Sequence, residues 1–360
     1  ALDRNSARAW IGLGRIYSAR SMQSEAKSAF IRAAVLEPEA FSFWLNHQQS
    51  PQQVAIYKGY LPENLGGESA QTATECKITP SAASTGTAEL AINLDQLSDG
   101  SGGVRGLGAH VRLNDRADAH LLLDTAASGV TIGRKLAKKA NVKKIRSNTV
   151  RGLGGSENSD GFLGRVSRLQ IGDFDLQDCV VQVSSDNNVA AAEGIIGTDM
   201  FNKYLITIDF PAHQLRLKPL DEGSANIGAA ASEKGVQALS FGHFLLLSGR
   251  LGNATGLFLI DSGSNTNTLS PQTIHRVLNA TPDRSVVRGA SGTAHSTFRA
   301  ENATVQVANL EVSGERVVAL DLTRISKGIG TEIAGQIGFS TLENLVLTID
   351  YRDGIVGLHR

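Results

Sequence analysis

The strongest constraint on the fold of this chain is an internal repeat. The sequence from about residue 109 recurs from about residue 242, at an offset of 137 residues that drifts to 141. In each copy a run of apolar, strand-forming residues leads an aspartate into a turn. The two turns are Asp124-Thr125-Ala126 and Asp261-Ser262-Gly263. The repeat predicts two similar β-rich lobes, each of which presents one aspartate at an equivalent position.

Further motifs recur in the same order and extend the repeat to the end of the chain. They are a glycine-rich segment that begins Arg-Gly 27 residues after each aspartate, a pair of strands, an apolar segment ending in glycine, and a closing strand. In the first copy these motifs are residues 151–155, 166–171 with 179–183, 194–197 and 205–210. In the second copy they are residues 288–292, 303–307 with 317–320, 335–338 and 346–351. We interpret the glycine-rich segments as mobile hairpins and predict a mainly β region.

The two aspartate turns also predict a chemistry. Pseudo-twofold symmetry brings equivalent turns together at the axis between two lobes, so Asp124 and Asp261 are expected to face each other. Like charges a few ångströms apart cannot both ionise easily, so the pair holds one proton and offers an acid and a base in one site. The hydroxyl groups of Thr125 and Ser262 are suited to bind backbone across the axis, and Gly263 allows a close approach of the two loops.

These motifs resemble those of the retropepsin-like and pepsin-like aspartic proteases, with both lobes in one chain. Asp-Thr/Ser-Gly turns, glycine-rich flaps and apolar-apolar-Gly segments are the motifs of these proteases, and each has two counterparts here. The resemblance implies a bilobal pair of β-barrels related by a pseudo-twofold axis, with lobe 1 at 109–221 and lobe 2 at 235–360. It also implies hydrolysis of peptide bonds by a water activated between Asp124 and Asp261, without a cofactor. The flap residues that it implies are Gly152, Gly154, Gly289 and Gly292.

Three features depart from the family pattern. Ala126 stands where the family has the glycine of its first turn, and it puts a methyl group where two backbones are expected to pack closely. Gln336 occupies the first apolar position of the second apolar-apolar-Gly segment. Neither flap contains the tyrosine of the pepsin-like enzymes, which the retropepsin-like branch does without. The alternative to an active endopeptidase is therefore a weakened or inactive protein that still binds an extended peptide between its lobes.

A helical pattern precedes the repeat. Between residues 5 and 38 the apolar residues recur at helical spacing and end at a proline, which predicts two antiparallel helices. The residues that carry the pattern are Trp10, Leu13, Gly14, Tyr17, Ala26, Phe30, Ala33 and Pro38, and they resemble one tetratricopeptide repeat. One such hairpin cannot bury its apolar face alone, so we expect further repeats upstream of Ala1, packing against the segment from about 40 to 60, or both.

The sequence leaves the role of this helical region, residues 1–60, open. It docks a protein partner, or it serves as a spacer or cap. A third hypothesis makes the helical repeats the main functional part and the β region a scaffold. Residues 61–108 are rich in Gly, Ser, Ala and Thr, and we interpret them as a linker with one edge strand.

Composition excludes several classes of partner. The net charge is zero and the two signs are interspersed, which argues against binding of nucleic acid or of an anionic membrane surface. No stretch approaches the roughly 18 apolar residues that span a bilayer. The scattered histidines and the two cysteines, Cys76 and Cys179, lack the spacing of a metal site, and they leave a single disulfide bridge open.

The start of the chain and its compartment are separate expectations. Residues 1–5 carry no signal peptide and look like the continuation of a longer protein. The combination of a helical repeat with a protease of this type suggests a bacterial protein that is exported to the cell envelope or secreted.

Overall fold

The computed structural model divides the chain into two units. The first, called the helical unit below, is made of Ala1–Thr72 and Ser326–Glu332, and the second, β-rich unit is made of Ala73–Ile325 and Ile333–Arg360. The structure describes residues 6–36, 41, 44–45, 57, 76–78, 89–98, 102–150, 159–187, 189, 192–220, 235–241, 243–271, 273–274, 279–284, 286–289, 292–308, 310–323, 325–326, 332–352 and 354–360.

The N-terminal segment forms two helices, as its periodicity predicts. Helix α1 spans Ala7–Ala19 and helix α2 spans Gln23–Leu36. The side chain of Ser6 caps α1, because its oxygen accepts a hydrogen bond of 3.3 Å from the amide of Ala9. Phe30 on α2 is fully buried in an apolar cluster. The other members of this cluster are Ala7, Ile11, Ala26, Ala33, Ala34, Phe41, Leu45 and Tyr57. The assignment of these helices to a tetratricopeptide repeat stays a prediction.

The β-rich unit contains 24 strands within the described residues. Those up to residue 220 are β1 (Lys77–Ile78), β2 (Leu90–Ser98), β3 (Val104–Leu113), β4 (Ala117–Asp124), β5 (Val130–Gly133), β6 (Lys143–Val150), β7 (Ser159–Ile171), β8 (Phe174–Ser184), β9 (Gly194–Gly197), β10 (Tyr204–Asp209) and β11 (Gln214–Pro219). The remainder are β12 (Gly235–Gln237), β13 (Leu239–Phe241), β14 (Phe244–Leu251), β15 (Ala254–Ile260), β16 (Asn267–Leu269), β17 (Thr281–Pro282), β18 (Val286–Gly289), β19 (Gly292–His295), β20 (Phe298–Val307), β21 (Leu310–Ala319), β22 (Gly335–Ile337), β23 (Val346–Asp350) and β24 (Ile355–His359).

Short helices connect some of these strands. They are α3 (Arg134–Lys139), α4 (Phe339–Leu342) and a 3₁₀ turn, Thr198–Phe201. In the part of the chain that the structure describes, no helix is both long and apolar enough to cross a membrane.

The two copies of the repeat pair their strands in the same way. Strand β4 lies between the antiparallel β3 and the parallel β9, and β15 lies between the antiparallel β14 and the parallel β22. Beyond them, β5 and β16 pair antiparallel to β9 and β22, and parallel to β8 and β21. The mainly β architecture with two β-rich lobes, which the repeat predicts, is confirmed.

The closing strands of the two copies pair with each other. Strands β10 and β23 run antiparallel, with Ile206 opposite Ile349 and Ile208 opposite Leu347. They are the central strands of the order β12-β24-β23-β10-β11-β2, which contains strands of both halves. All four of these residues are fully buried and belong to one apolar core that extends through both halves. The halves are therefore joined by backbone hydrogen bonds and by a common core.

Strand β2 corrects one expectation from the sequence. It was expected to be an edge strand, but it pairs with β11 on one side and with β3 on the other. Ile92 and Leu94, which point to one face of the strand, are buried in the common core. An inner position suits this strand because its apolar face has a core to cover.

A disulfide joins Cys76 to Cys179 over 103 residues of sequence. Cys76 precedes β1, and Cys179 is a fully buried residue of β8, with which β1 pairs. The bridge thus fixes the beginning of the β-rich unit to its first lobe.

The packing of α1 on Phe30 gives a first testable prediction. A Cβ atom at Gly14 would lie 2.6 Å from the Phe30 ring, whereas a Cβ at Gly12 would meet nothing within 4 Å. We expect Gly14→Ala to destabilise the helical unit by about 1–3 kcal/mol through overpacking. Gly12→Ala should stabilise it by about 1 kcal/mol through helix propensity. Amide hydrogen exchange of α1 in the whole protein measures both effects, and equal protection in the two variants would contradict this packing.

The disulfide gives a second prediction. Cys76→Ala should lower the free energy of unfolding by about 2–4 kcal/mol, because the bridge restricts the unfolded chain. Denaturant unfolding with and without a thiol reductant measures the effect. Reductant should bring the parent protein to the stability of the variant and leave the variant unchanged. A variant as stable as the oxidised parent would show that the bridge contributes nothing.

Candidate active site

Equivalent strands deliver the two aspartates to the interior of the β-rich unit. Asp124 is the last residue of β4, and Asp261 follows β15 directly. Asp124 is only 9% exposed and Asp261 only 3%. The apolar runs that precede the two aspartates are the reason for this burial, since each run forms an inner strand of its sheet.

Thr125 and Ser262 join the two turns through four hydrogen bonds. The Thr125 amide donates to the Ser262 hydroxyl oxygen at 3.1 Å, and the Ser262 amide donates to the Thr125 hydroxyl oxygen at 3.0 Å. Each hydroxyl then donates to a backbone carbonyl of the other half, Thr125 to Ile260 at 2.7 Å and Ser262 to Leu123 at 2.9 Å. Because all four bonds are buried and reciprocal, they fix the two turns against each other.

Gly263 allows the Asp124 carboxyl to contact the turn of the other half. A Cβ atom added at Gly263 would lie 2.1 Å from Oδ2 of Asp124, so no larger residue fits there. Ala126, at the equivalent position of the first turn, is half-buried, and its amide donates to Oδ1 of Asp124 at 2.8 Å. Its carbonyl oxygen lies 3.1 Å from Nε2 of His243. The turn that contains Ala126 is thus hydrogen-bonded, and it still holds Asp124 against Gly263.

The two carboxyls form one electrostatically coupled pair. Burial raises the pKa of both above the ordinary value of an aspartate. The negative charge of Asp124 adds to the effect on Asp261, whose pKa rises to about 8. A proton on either carboxyl relieves the repulsion between them, so the two titrate as a pair. The pair therefore offers a carboxylate and a carboxylic acid side by side at acidic to neutral pH.

Arg105 is a site residue that sequence analysis missed. It lies in β3, is 3% exposed, and its positive charge lowers the pKa of both carboxyls. The residue falls in the segment interpreted as a linker, where a single basic residue among glycines gave no signal. Its charge partly offsets the cost of burying two carboxyls in one place.

Gln336 reaches Asp261 from the neighbouring strand β22. The residue is fully buried, and its Nε2 atom donates to Oδ2 of Asp261 at 2.6 Å. Its Oε1 atom accepts a hydrogen bond of 2.8 Å from the hydroxyl of Thr268. Gln336, which departs from the family pattern, therefore has a polar partner for both atoms of its side-chain amide, and one of these partners is Asp261.

Asp199 holds the loop that follows Asp124. Its carboxylate accepts hydrogen bonds from the Ser128 hydroxyl at 2.7 Å and from the Gly129 amide at 2.8 Å. Burial raises the pKa of Asp199 to about 6. Ser340 stands at the equivalent place in the second copy, so the repeat gave no signal for Asp199, and its support of the first loop required the structure.

The two predicted flaps differ in what the structure describes. Gly289 and Gly292 pair with each other in the hairpin formed by β18 and β19. Gly152 and Gly154 lie outside the described residues, although β6 and β7, which flank them, are paired as far as Val150 and Ser159. Within the described residues, no group of histidine, cysteine and acidic side chains could hold a metal ion.

Comparison with known proteins places the chain in a family. A sequence model described as aspartyl protease matches residues 109–200 and 247–341, one segment in each half and together more than half of the chain. No curated protein sequence gives a significant match. Among solved structures, the aspartic proteinase from Irpex lacteus is similar at 12% identity over 75% of this chain and 97% of that chain, with a TM-score of 0.47. The two family matches, each of which contains one of the paired aspartates, show that the chain belongs to the aspartyl protease family.

Proposed function

We propose that this protein is an aspartic endopeptidase that hydrolyses peptide bonds through a water held between Asp124 and Asp261. The observation that carries the proposal is the reciprocal bonding of Thr125 with Ser262, which makes one coupled pair of two buried carboxyls from different halves. Membership of the aspartyl protease family supports it. The proposed lobes are residues 109–221 and 235–360, and the reaction needs no cofactor.

The proposed mechanism uses the two carboxyls in different protonation states. The Asp124 carboxylate accepts a proton from the water as the water oxygen bonds to the peptide carbonyl carbon, and Asp261 gives its proton to the carbonyl oxygen. In the second step Asp261 takes a proton back from one of the two hydroxyls. Asp124 then gives its proton to the leaving nitrogen as the C–N bond breaks. Both carboxyls end the cycle in the state in which they began.

The substrate that this site suits is an extended peptide or a protein segment. The β18–β19 hairpin forms a separate two-stranded sheet, whose backbone is suited to pair with an extended chain. The alternative function is binding of such a peptide without turnover. It rests on Ala126, which replaces the glycine of the family motif.

We infer that the helical unit belongs to a tetratricopeptide-type region that docks a protein partner. Ile16 and Met22 are large apolar residues that are 51% and 37% exposed, respectively. Apolar surface of this kind on α1 and on the turn after it supports packing against a further repeat or a partner.

We also infer that the protein works in an oxidising compartment, such as the bacterial cell envelope or the cell exterior. The Cys76–Cys179 disulfide supports this location, because such bonds persist outside the reducing cytosol.

The endopeptidase proposal gives a third prediction. The parent protein should cleave casein and members of a peptide library, and pepstatin should inhibit it. Asp124→Asn and Asp261→Asn should each lower kcat/KM by about 100- to 10,000-fold, because each removes one of the two proton-transfer groups. Asp209→Asn serves as the matched control, since Asp209 caps the turn after β10 through the Ala212 amide and lies outside the site.

The pH profile belongs to the same experiment. Asp261 must hold a proton, and its raised pKa of about 8 means that this proton is lost as the pH rises through that value. The alkaline limb of kcat/KM should therefore lie near pH 8. Intact substrate at every pH from about 3 to about 9 would overturn the proposal and favour the binding alternative.

The two turns give a fourth prediction, which compares one methyl group at equivalent positions. Gly263→Ala should lower kcat by at least about 100-fold, because the new methyl displaces the Asp124 carboxyl. Ala126→Gly should change kcat by less than about 10-fold, because the turn around Ala126 already keeps its hydrogen bonds. A large gain of activity in Ala126→Gly would instead identify Ala126 as the cause of a weakened site. Circular dichroism of both variants controls for folding.

A further inference from the structure

Gln336 is the polar group that distinguishes the surroundings of the two aspartates. Strands β9 and β22 occupy equivalent places, and Ile195 of β9 corresponds to Gln336 of β22. Ile195 is in register with Leu122 and Thr131, just as Gln336 is in register with Leu259 and Thr268. Both are buried, but Ile195 packs in an apolar cluster, whereas Gln336 donates a hydrogen bond to Asp261.

The other groups around the pair do not supply a side-chain amide donor to one aspartate alone. Each carboxyl receives hydrogen bonds from two backbone amides of its own turn, and Arg105 acts on both. The remaining titratable side chains lie on the side of the first aspartate. Asp199 binds the loop after Asp124, His243 contacts the Ala126 carbonyl, and the charge of Asp124 acts on Tyr351. The amide of Gln336 is thus a donor that the second aspartate has and that the equivalent position of the first half cannot supply.

The contact also selects one oxygen of Asp261. The Nε2 atom of Gln336 donates to Oδ2, and the protonated oxygen of a carboxylic acid is a poorer acceptor than its carbonyl oxygen, so this hydrogen bond favours the proton on Oδ1. The Thr268 hydroxyl donates to Oε1 of Gln336, which keeps the NH₂ end of the amide towards the carboxyl. Oδ1 is therefore the preferred position for the proton of Asp261.

We propose that Gln336 is a positioning residue that orients the Asp261 carboxyl and keeps the proton of Asp261, when it is present, on Oδ1. This inference rests on the proposed function, since it concerns the proton that Asp261 gives to the substrate in the endopeptidase reaction. A carboxylic acid without such a partner can rotate and direct its proton away from the substrate. Gln336 prevents this rotation from the strand beside Asp261, without contacting the substrate itself.

The fifth prediction concerns the higher pKa of the pair. A hydrogen-bond donor favours the ionised form of a carboxyl, so Gln336 holds the pKa of Asp261 below the value that burial would otherwise give it. Gln336→Ile, which copies the residue of the first half, should raise the higher pKa by about one unit and leave the lower one in place. Gln336→Leu has nearly the same size but no donor, and it should raise the higher pKa about as far. Thr268→Val should cause a smaller shift in the same direction.

The matched control is Thr131→Val, which makes the same change at the equivalent position of the first half, where no amide is present. It should move neither pKa. The measurement is a titration of the protein labelled with ¹³C at the aspartate carboxyls, in which Asp124→Asn and Asp261→Asn identify the signals of the pair. The pH profile of kcat/KM is recorded in parallel, and a shift of its alkaline limb alone is expected. Thermal unfolding shows which variants keep the fold. If the variants of Gln336 do not fold, the pKa shift of Thr268→Val tests the inference in their place.

The two readouts separate this inference from the proposed function. If the folded Gln336 variants, or Thr268→Val in their place, keep the higher pKa within about 0.3 unit of the parent, the inference is wrong, even when the parent cleaves peptides. If the carboxyl signals shift as expected but the parent cleaves no substrate, the assignment of the proton stands and the endopeptidase proposal fails. A shift of both pKa values in the Thr131→Val control would also overturn the inference, because it would show a general effect of repacking.

Discussion

The exchange of hydrogen bonds between Thr125 and Ser262 is the constraint on which the geometry of the site depends. Each residue uses its amide as a donor and its hydroxyl as acceptor and donor, so a shift of either turn breaks bonds on both sides. Breaking buried hydrogen bonds leaves polar groups without water to replace the lost partner, which makes the displaced state costly. The turns therefore stay in contact, and the two carboxyls share one buried environment. Their raised pKa values follow from that burial and, for Asp261, from the charge of Asp124.

The backbone of the β-rich unit is close to symmetric, but the side chains around the pair are not. Equivalent strands pair in equivalent ways in both halves. Asp199 supports only the first turn, Gln336 contacts only the second aspartate, and Ala126 and Gly263 differ by a methyl group. A symmetric pair of carboxyls would share the proton equally, whereas an acid and a base need different surroundings.

The repeat allowed much of this architecture to be predicted. Each copy carries a long apolar run before its aspartate, and such runs report inner strands reliably, so the two turns and their equivalence followed from spacing alone. The contributions of Arg105, Asp199 and Gln336 could not be predicted in that way, because each depends on a side chain that reaches another strand or loop. The inner position of β2 was missed for a similar reason, since strand partners distant in sequence decide it. The pairing of Cys76 with Cys179 also stayed open, because a separation of 103 residues contains no information about distance in space.

The pairing of β10 with β23 has a consequence for how the chain folds. The two strands are antiparallel neighbours, yet Ile208 and Leu347 come from opposite halves of the repeat. Contacts between residues so distant in sequence raise the contact order, and chains with high contact order fold slowly because a long loop must close first. The sheet that contains β10 and β23 can form only after both copies of the repeat are present. Asp124 and Asp261 come from the same two halves, so the pair of carboxyls also requires both copies to be folded.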